Sequence, residues 1–148
     1  MTTRPSAELR RRVVARADEC CEYCLMPQEL TASLHQVDHV IAEKHQGETT
    51  LENLALSCAL CNRRKGSDIG SLDPSTGRYV GLFNPRAQGW DDHFEVDASR
   101  IVGLTSVGRT TVEFLRLNAV ERLAERTELI RVGLFPPPDI VNWFIHNA

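Results

Sequence analysis

The chain has 148 residues, of which 42% are hydrophobic, and this is enough for one compact domain with a hydrophobic core. No apolar run approaches the roughly 20 residues that a membrane-spanning helix needs, which argues against an integral membrane protein. The formal net charge of −3 is unusual for a protein that binds nucleic acid, because such proteins are generally basic, so any nucleic-acid contact would have to use a local basic patch.

Residues 6 to 18 are predicted to form a helix. Ser6 can cap its N-terminus, and Leu9, Val13 and Ala17 lie on one face. The run Arg10-Arg11-Arg12 within this helix is either a solvent-exposed helix face or a phosphate contact, and the sequence favours neither interpretation. The helix leads the chain to the first of two cysteine pairs.

Two Cys-x-x-Cys pairs, Cys21/Cys24 and Cys58/Cys61, are separated by 33 residues. Such a turn directs two thiolates at one tetrahedral ion, with zinc–sulfur distances of about 2.3 Å, and a second pair closes the site. Two disulfides or a redox dithiol are the alternatives. No signal peptide precedes the first pair, so we expect a cytoplasmic location, where disulfides are disfavoured. We therefore predict a structural zinc, with Cys20 as an inert, buried side chain whose exchange for Cys21 as a ligand is left open.

Between the pairs, residues 36 to 42 are β-prone and are predicted to form a strand that carries Asp38 and His39. Asp38 offers a hard oxygen ligand that suits Mg²⁺ or Mn²⁺. The imidazole of His39 can take a proton from water. Regular alternation would direct the two side chains to opposite faces of the strand. If both serve one site, the strand must twist, bulge or end there.

Residues 51 to 56 are predicted to lead into a second strand. They include Asn53, whose amide can orient an imidazole through a hydrogen bond. By itself Asn53 would be interpreted as an ordinary loop residue.

A helix is predicted to begin at Cys58 and to end at Gly66. The two cysteines of the second pair lie one turn apart on one face of this helix. Asn62 and Lys65 are likewise three residues apart, on an adjacent face that we expect to be directed at the divalent cation that Asp38 would bind. Asn62 offers an amide oxygen to the same cation as Asp38, although alone it would be interpreted as a helix cap.

Residues 72 to 148 are predicted to form a C-terminal extension that packs on this core. The alternating pattern around residues 94 to 104 predicts a β-hairpin. Thr110 and Glu113 form a capping-box pattern, which predicts a helix that fades near residue 131. After three prolines, a short apolar helix is predicted as core or as a homodimer contact; it contains Ile140, Val141, Trp143 and Phe144.

The chain resembles the HNH, or ββα-metal, endonuclease family in the order and spacing of the two cysteine pairs, the Asp-His pair and the two asparagines. Within that family, it resembles a subfamily with two zinc-binding Cys-x-x-Cys knuckles. The resemblance covers residues 20 to 68, within a single expected domain of residues 1 to 148. It implies an α+β fold, in which a ββα-metal (treble-clef-like), zinc-stabilised core carries an N-terminal helix and a C-terminal hairpin-plus-helices extension.

The resemblance also implies a function, a metal-dependent endonuclease. Asp38 and Asn62 match the ligands of a catalytic Mg²⁺ or Mn²⁺, His39 matches the general base, and Asn53 matches the central asparagine of the motif. Phosphodiester hydrolysis would leave 3′-hydroxyl and 5′-phosphate ends, with DNA as the expected substrate. The predicted substrate-binding residues are the basic run beside the cation, Lys65, Arg64 and Arg63.

Two other functions agree with the same residues. A non-catalytic zinc module could bind nucleic acid or a protein through the same helix, and it would need zinc but not magnesium. An RNase could use a 2′-hydroxyl nucleophile and leave a cyclic phosphate. Metal dependence and product-end analysis separate these three hypotheses.

Overall fold

A computed structural model of the chain describes residues 3–137. The apolar helix predicted around Trp143 lies outside the described residues. Small antiparallel sheets alternate with helices, which confirms the α+β class. The elements are α1 Ala7–Arg16, β1 Gln36–His39, β2 Leu54–Ser57, α2 Ala59–Lys65, β3 Gly70–Leu72, β4 Tyr79–Gly81, α3 Trp90–His93, β5 Phe94–Asp97, β6 Arg100–Gly103, α4 Ser106–Phe114 and α5 Val120–Arg131.

The backbone divides into two compact units. Within the described residues, the first comprises residues 3–69 and 84–87, and the second comprises residues 70–83 and 88–137. The boundary after residue 69 lies close to the predicted start of the extension at residue 72. Packing of that extension on the core stays a prediction. Among the described residues, no helix is both long enough and apolar enough to cross a membrane.

The first unit is built on the β1–β2 hairpin and helix α1. Ser6 caps α1 as predicted, since its Oγ accepts a hydrogen bond of 3.2 Å from the Leu9 amide. The apolar face of α1 packs against strand β2 in a fully buried cluster, which comprises Val13, Ala17, Leu54 and Leu56. Because α2 begins directly after β2, this packing fixes the ββα element that carries the motif residues.

The second unit contains the hairpin β5–β6, which the alternating pattern predicted, and the hairpin β3–β4. Helix α4 packs against β6, β3 and β4. The approach to β6 is close enough to require glycine, because a Cβ on Gly103 would lie 2.4 Å from the Arg109 backbone nitrogen. A buried carboxylate, Asp73, accepts hydrogen bonds from Arg109 of α4 at 2.8 and 3.2 Å.

The predicted helix start at Thr110 is wrong. Helix α4 begins at Ser106, and its N-cap is Thr105, whose hydroxyl accepts a hydrogen bond of 3.1 Å from the Gly108 amide. Thr110 lies inside this helix and is fully buried. The helical pattern is also interrupted after Phe114, and α5 begins only at Val120. Tertiary packing therefore selects Thr105 over the capping box that the local sequence favours.

A four-cysteine cluster beside a candidate active site

Four cysteines converge in the first unit, as their spacing predicted. The Sγ atoms of Cys21, Cys24, Cys58 and Cys61 lie within 4.8 Å of one another, and all four residues are buried. The Sγ atoms of Cys24 and Cys58 are 3.7 Å apart. Tetrahedral zinc with bonds of about 2.3 Å would separate its sulfur ligands by roughly 3.8 Å. The donor set and spacing therefore fit a structural zinc.

Backbone amides support the sulfurs within each pair. The Cys24 amide donates to Cys21 Sγ at 3.5 Å, and the Cys61 amide donates to Cys58 Sγ at 3.4 Å. Burial raises the pKa of the Cys21 thiol, so a charged cluster requires a bound cation to offset the cost of burying thiolates. Cys20 is buried outside the cluster, where its Sγ lies 3.3 Å from the Asp18 carbonyl oxygen. Cys21, rather than Cys20, thus belongs to the four-cysteine cluster.

Beside this cluster a cavity of about 490 Å³ opens at the end of strand β1. Asp38 and His39, the last two residues of the strand, both line it. Of the three ways in which adjacent residues could share a site, the strand end is therefore the one observed. The lining is mostly polar and comprises Gln36, Val37, Asp38, His39, Ala42, Glu43, Asn62, Gly66 and Ser67.

Asp38 is held by two buried partners. Its Oδ2 accepts a hydrogen bond of 3.0 Å from the Tyr23 hydroxyl and lies 3.1 Å from the Lys65 ammonium. Burial raises the pKa of the Asp38 carboxyl, and the Lys65 charge opposes this shift. A carboxylate offers about four lone-pair sites, and these partners bind chiefly to Oδ2. The second oxygen, Oδ1, whose contact with Lys65 is longer at 3.4 Å, keeps capacity for a cation.

The predicted role of Lys65 in substrate binding is corrected by the structure. The side chain is 1% exposed, and its Nζ donates to the His39 carbonyl oxygen at 3.1 Å in addition to pairing with Asp38. An ammonium in this position cannot reach a phosphate in solvent. The other two residues of the basic run remain nearer the surface, since Arg63 is exposed and Arg64 is half-buried.

His39 is 6% exposed, and its ring is oriented by two neighbours that the sequence analysis missed. Its Nε2 lies 2.8 Å from the Thr49 hydroxyl and 3.3 Å from Glu43 Oε1. Glu43 and Thr49 are linked to each other by a longer contact of 3.4 Å. The spacing of four residues between His39 and Glu43 is the only sequence signal for this arrangement, and it is weak outside a helix.

Asn53, which was predicted to orient this ring, serves the backbone instead. Its Oδ1 accepts from the Ile41 amide at 3.0 Å, and its Nδ2 donates to the carbonyl oxygens of Ile41 and Glu48, each at 2.9 Å. The predicted catalytic contact is therefore corrected: Asn53 fixes the loop between β1 and β2. Gly47 belongs to the same arrangement, because a Cβ there would lie 1.6 Å from the Ile41 carbonyl oxygen.

Asn62 faces the cavity from helix α2. Its Nδ2 donates to Gln36 Oε1, so its Oδ1 is the atom that could bind a cation. Cys58 caps the same helix, and Gly66 ends it with a positive φ of 53°, as predicted. The first turn of α2 therefore connects the four-cysteine cluster directly to the cavity.

Comparison with known proteins agrees with this geometry. Residues 21–68 match the family model of the HNH endonucleases. A curated relative, Septu protein PtuB of Bacillus thuringiensis, is 26% identical over 112 residues, which are 74% of this chain and 41% of that protein. The chain thus spans about two-fifths of the relative's length. No solved structure matches the chain. These findings confirm the family resemblance: residues 21–68 are a region of the HNH endonuclease type, with the four-cysteine cluster built into it.

Proposed function

We propose that the protein is a divalent-metal-dependent endonuclease that hydrolyses phosphodiester bonds, with DNA as the expected substrate. One observation carries this proposal: an acidic ligand, an imidazole and an amide line one cavity, where they are supplied by Asp38, His39 and Asn62. The family match over residues 21–68 and the curated relative support a nuclease-type function.

Asp38 and Asn62 would hold the catalytic Mg²⁺ or Mn²⁺. Both supply oxygen, which these hard cations prefer, and both line the same cavity. When bound, the cation stabilises the negative charge that develops on the phosphate and the leaving 3′ oxygen. Lys65 and Tyr23 act on Asp38 by fixing its orientation, and Lys65 favours its charged form.

His39 would remove a proton from the attacking water. If Nε2 carries the hydrogen and donates it towards Glu43 and Thr49, Nδ1 is the nitrogen that accepts the proton. The Glu43 carboxylate then stabilises the imidazolium that forms. Exposed Arg63, with Arg64 beside it, is proposed to contact substrate phosphate at the end of α2.

The test is incubation of the zinc-loaded protein with supercoiled plasmid and with single-stranded RNA, with and without added Mg²⁺ or Mn²⁺. Metal should be added rather than withdrawn with a chelator, since a chelator would also remove zinc. The proposal expects plasmid cleavage only with added metal, 5′-phosphate ends, and loss of cleavage in His39→Ala. Binding without cleavage would support the non-catalytic zinc module. RNA cleavage with cyclic phosphate ends would support the RNase.

A further inference from the structure

A second cavity, of about 410 Å³, adjoins the candidate active site. The two cavities share Gln36 and Val37 of strand β1, so these residues lie between them, and we call the two cavities together the trough. The far end of this trough is lined by the segment that precedes α1, by α1 itself and by the residues that lead into β1. It is lined by Arg4, Pro5, Arg10, Leu34 and His35, in addition to the two shared residues.

The two ends of the trough differ in charge. The active-site end presents the carboxylate of Glu43 and that of Asp38, which is paired with the Lys65 ammonium. The far end presents the guanidinium groups of Arg4 and Arg10, and its seven lining residues include no carboxylate. A cation at the acidic end and a polyanion at the basic end would complement this pattern. In a chain of net charge −3, such a local concentration of positive charge is the kind of surface that phosphate binding requires.

The two arginines are presented differently. Arg4 is exposed. Arg10 is anchored, because its Nη2 donates to the His35 carbonyl oxygen at 2.7 Å. A guanidinium has five N–H groups in a rigid fork, so this single bond orients Arg10 and leaves further donors for a phosphate. Leu34, which lines the same cavity, is 69% exposed and offers an apolar contact for a sugar or base edge.

We propose that this far end, defined by Arg4, Arg10 and Leu34, binds the nucleic-acid strand that continues from the scissile phosphate. The proposal rests on the proposed function for its substrate class and extends it by giving the strand a path. The strand passes across Gln36 and Val37, and the phosphates of the neighbouring nucleotides lie against the two arginines. The basic run at the end of α2 then contributes fewer contacts than the sequence predicted, because Lys65 is buried.

The test compares DNA affinity and its salt dependence for the wild type and four variants: Arg4→Ala, Arg10→Ala, Arg10→Lys and Arg12→Ala. Arg12 is the matched control, because it is an exposed arginine of the same helix that does not line the trough. Affinity is measured with a labelled duplex in Ca²⁺, and cleavage of the same duplex is measured in Mg²⁺. Thermal unfolding and zinc content verify that each variant is folded.

The proposal expects Arg4→Ala and Arg10→Ala each to weaken binding severalfold and to lower the salt slope by about one, while Arg12→Ala leaves the slope unchanged. Arg10→Lys should restore the slope, since it restores the charge. Equal losses from Arg4→Ala and Arg12→Ala, or wild-type slopes in both trough variants, would overturn it. If the wild type binds DNA through these arginines but never cleaves, the proposed function fails and the trough stands. If the wild type cleaves DNA and the trough variants bind it normally, the proposed function stands and the trough proposal fails.

Discussion

The ammonium of Lys65 lies 3.1 Å from Oδ2 of Asp38, and both side chains are almost completely buried. Removing one partner of a buried ion pair leaves an uncompensated charge and costs about 3–5 kcal/mol. Lys65→Met should therefore lower the free energy of unfolding by several kcal/mol and reduce cleavage, because Asp38 loses its orientation. Arg63→Ala, two residues before the end of α2, should leave stability unchanged. Urea unfolding of the two variants measures the difference. A Lys65→Met protein of wild-type stability with weaker DNA binding would return Lys65 to the phosphate-contact role.

Zinc removal should unfold the first unit. Binding of a structural zinc contributes on the order of 10 kcal/mol in isolated zinc peptides, and the cluster joins a cysteine pair that precedes β1 to the start of α2. Cys24→Ser and Cys58→Ser should give insoluble or loosely packed protein. Cys20→Ser is the control, because Cys20 is buried outside the cluster. This variant should retain about one zinc per chain. Elemental analysis and near-UV circular dichroism check this result, which a folded, zinc-free Cys58→Ser protein would contradict.

Glu43 should matter for cleavage only through His39. Glu43→Gln removes the charge beside Nε2 and should slow cleavage at least several-fold, since general-base catalysis contributes roughly 10²–10⁴-fold in total. In a His39→Ala background the same change should have no further effect, because the two residues act as a unit. Glu48→Gln, an exposed carboxylate on the same loop, is the control. Cleavage rates are measured under single-turnover conditions. If the losses of rate are additive in the double variant, Glu43 does not act through the His39 imidazole.

The proposed cation ligands should differ in how their loss is compensated. Asp38→Asn removes the charged ligand and should abolish cleavage, whereas Asn62→Ala removes a neutral ligand that water can replace. Cleavage by Asn62→Ala should therefore recover partly as the Mg²⁺ concentration is raised. Neither change should reduce zinc content, since neither residue belongs to the cysteine cluster. Wild-type rates in both variants would refute the assignment of the ligands.

The second unit should lose stability in acid through Asp73. Hydrogen bonds from Arg109 hold the pKa of this carboxyl below its ordinary value. A lowered pKa in the folded state stabilises the protein above the unfolded pKa, near 3.9, and this stabilisation is lost as the pH falls through the folded value. Asp73→Asn should therefore lower the melting temperature near neutral pH and flatten its decline as the pH falls below about 4. An unchanged slope would mean that other carboxylates dominate acid unfolding.

The sequence predicted the parts of the site that depend on spacing along the chain. The two Cys-x-x-Cys turns fix their own thiolates, and α2 begins and ends where Cys58 and Gly66 indicate. Contacts between distant segments could not be predicted in this way. Asn53 can bond an imidazole or the backbone equally well, and the path of residues 41–48 decides in favour of the backbone. Lys65 shares a helix face with Asn62 by spacing. Its burial, however, depends on contacts with the Asp38 carboxylate and the His39 carbonyl oxygen of strand β1.

Cys58 has two structural duties at once, because it is a member of the cysteine cluster and also the N-cap of α2. Asn62 follows four residues later on the first turn of that helix. Under the proposed function, the two metals must therefore be acquired in a fixed order. A newly synthesised chain that has not yet received zinc would have no stable α2 to present Asn62, so magnesium alone could not activate it. Zinc binding would then determine when the protein becomes active, because cleavage could begin only after the zinc site has formed.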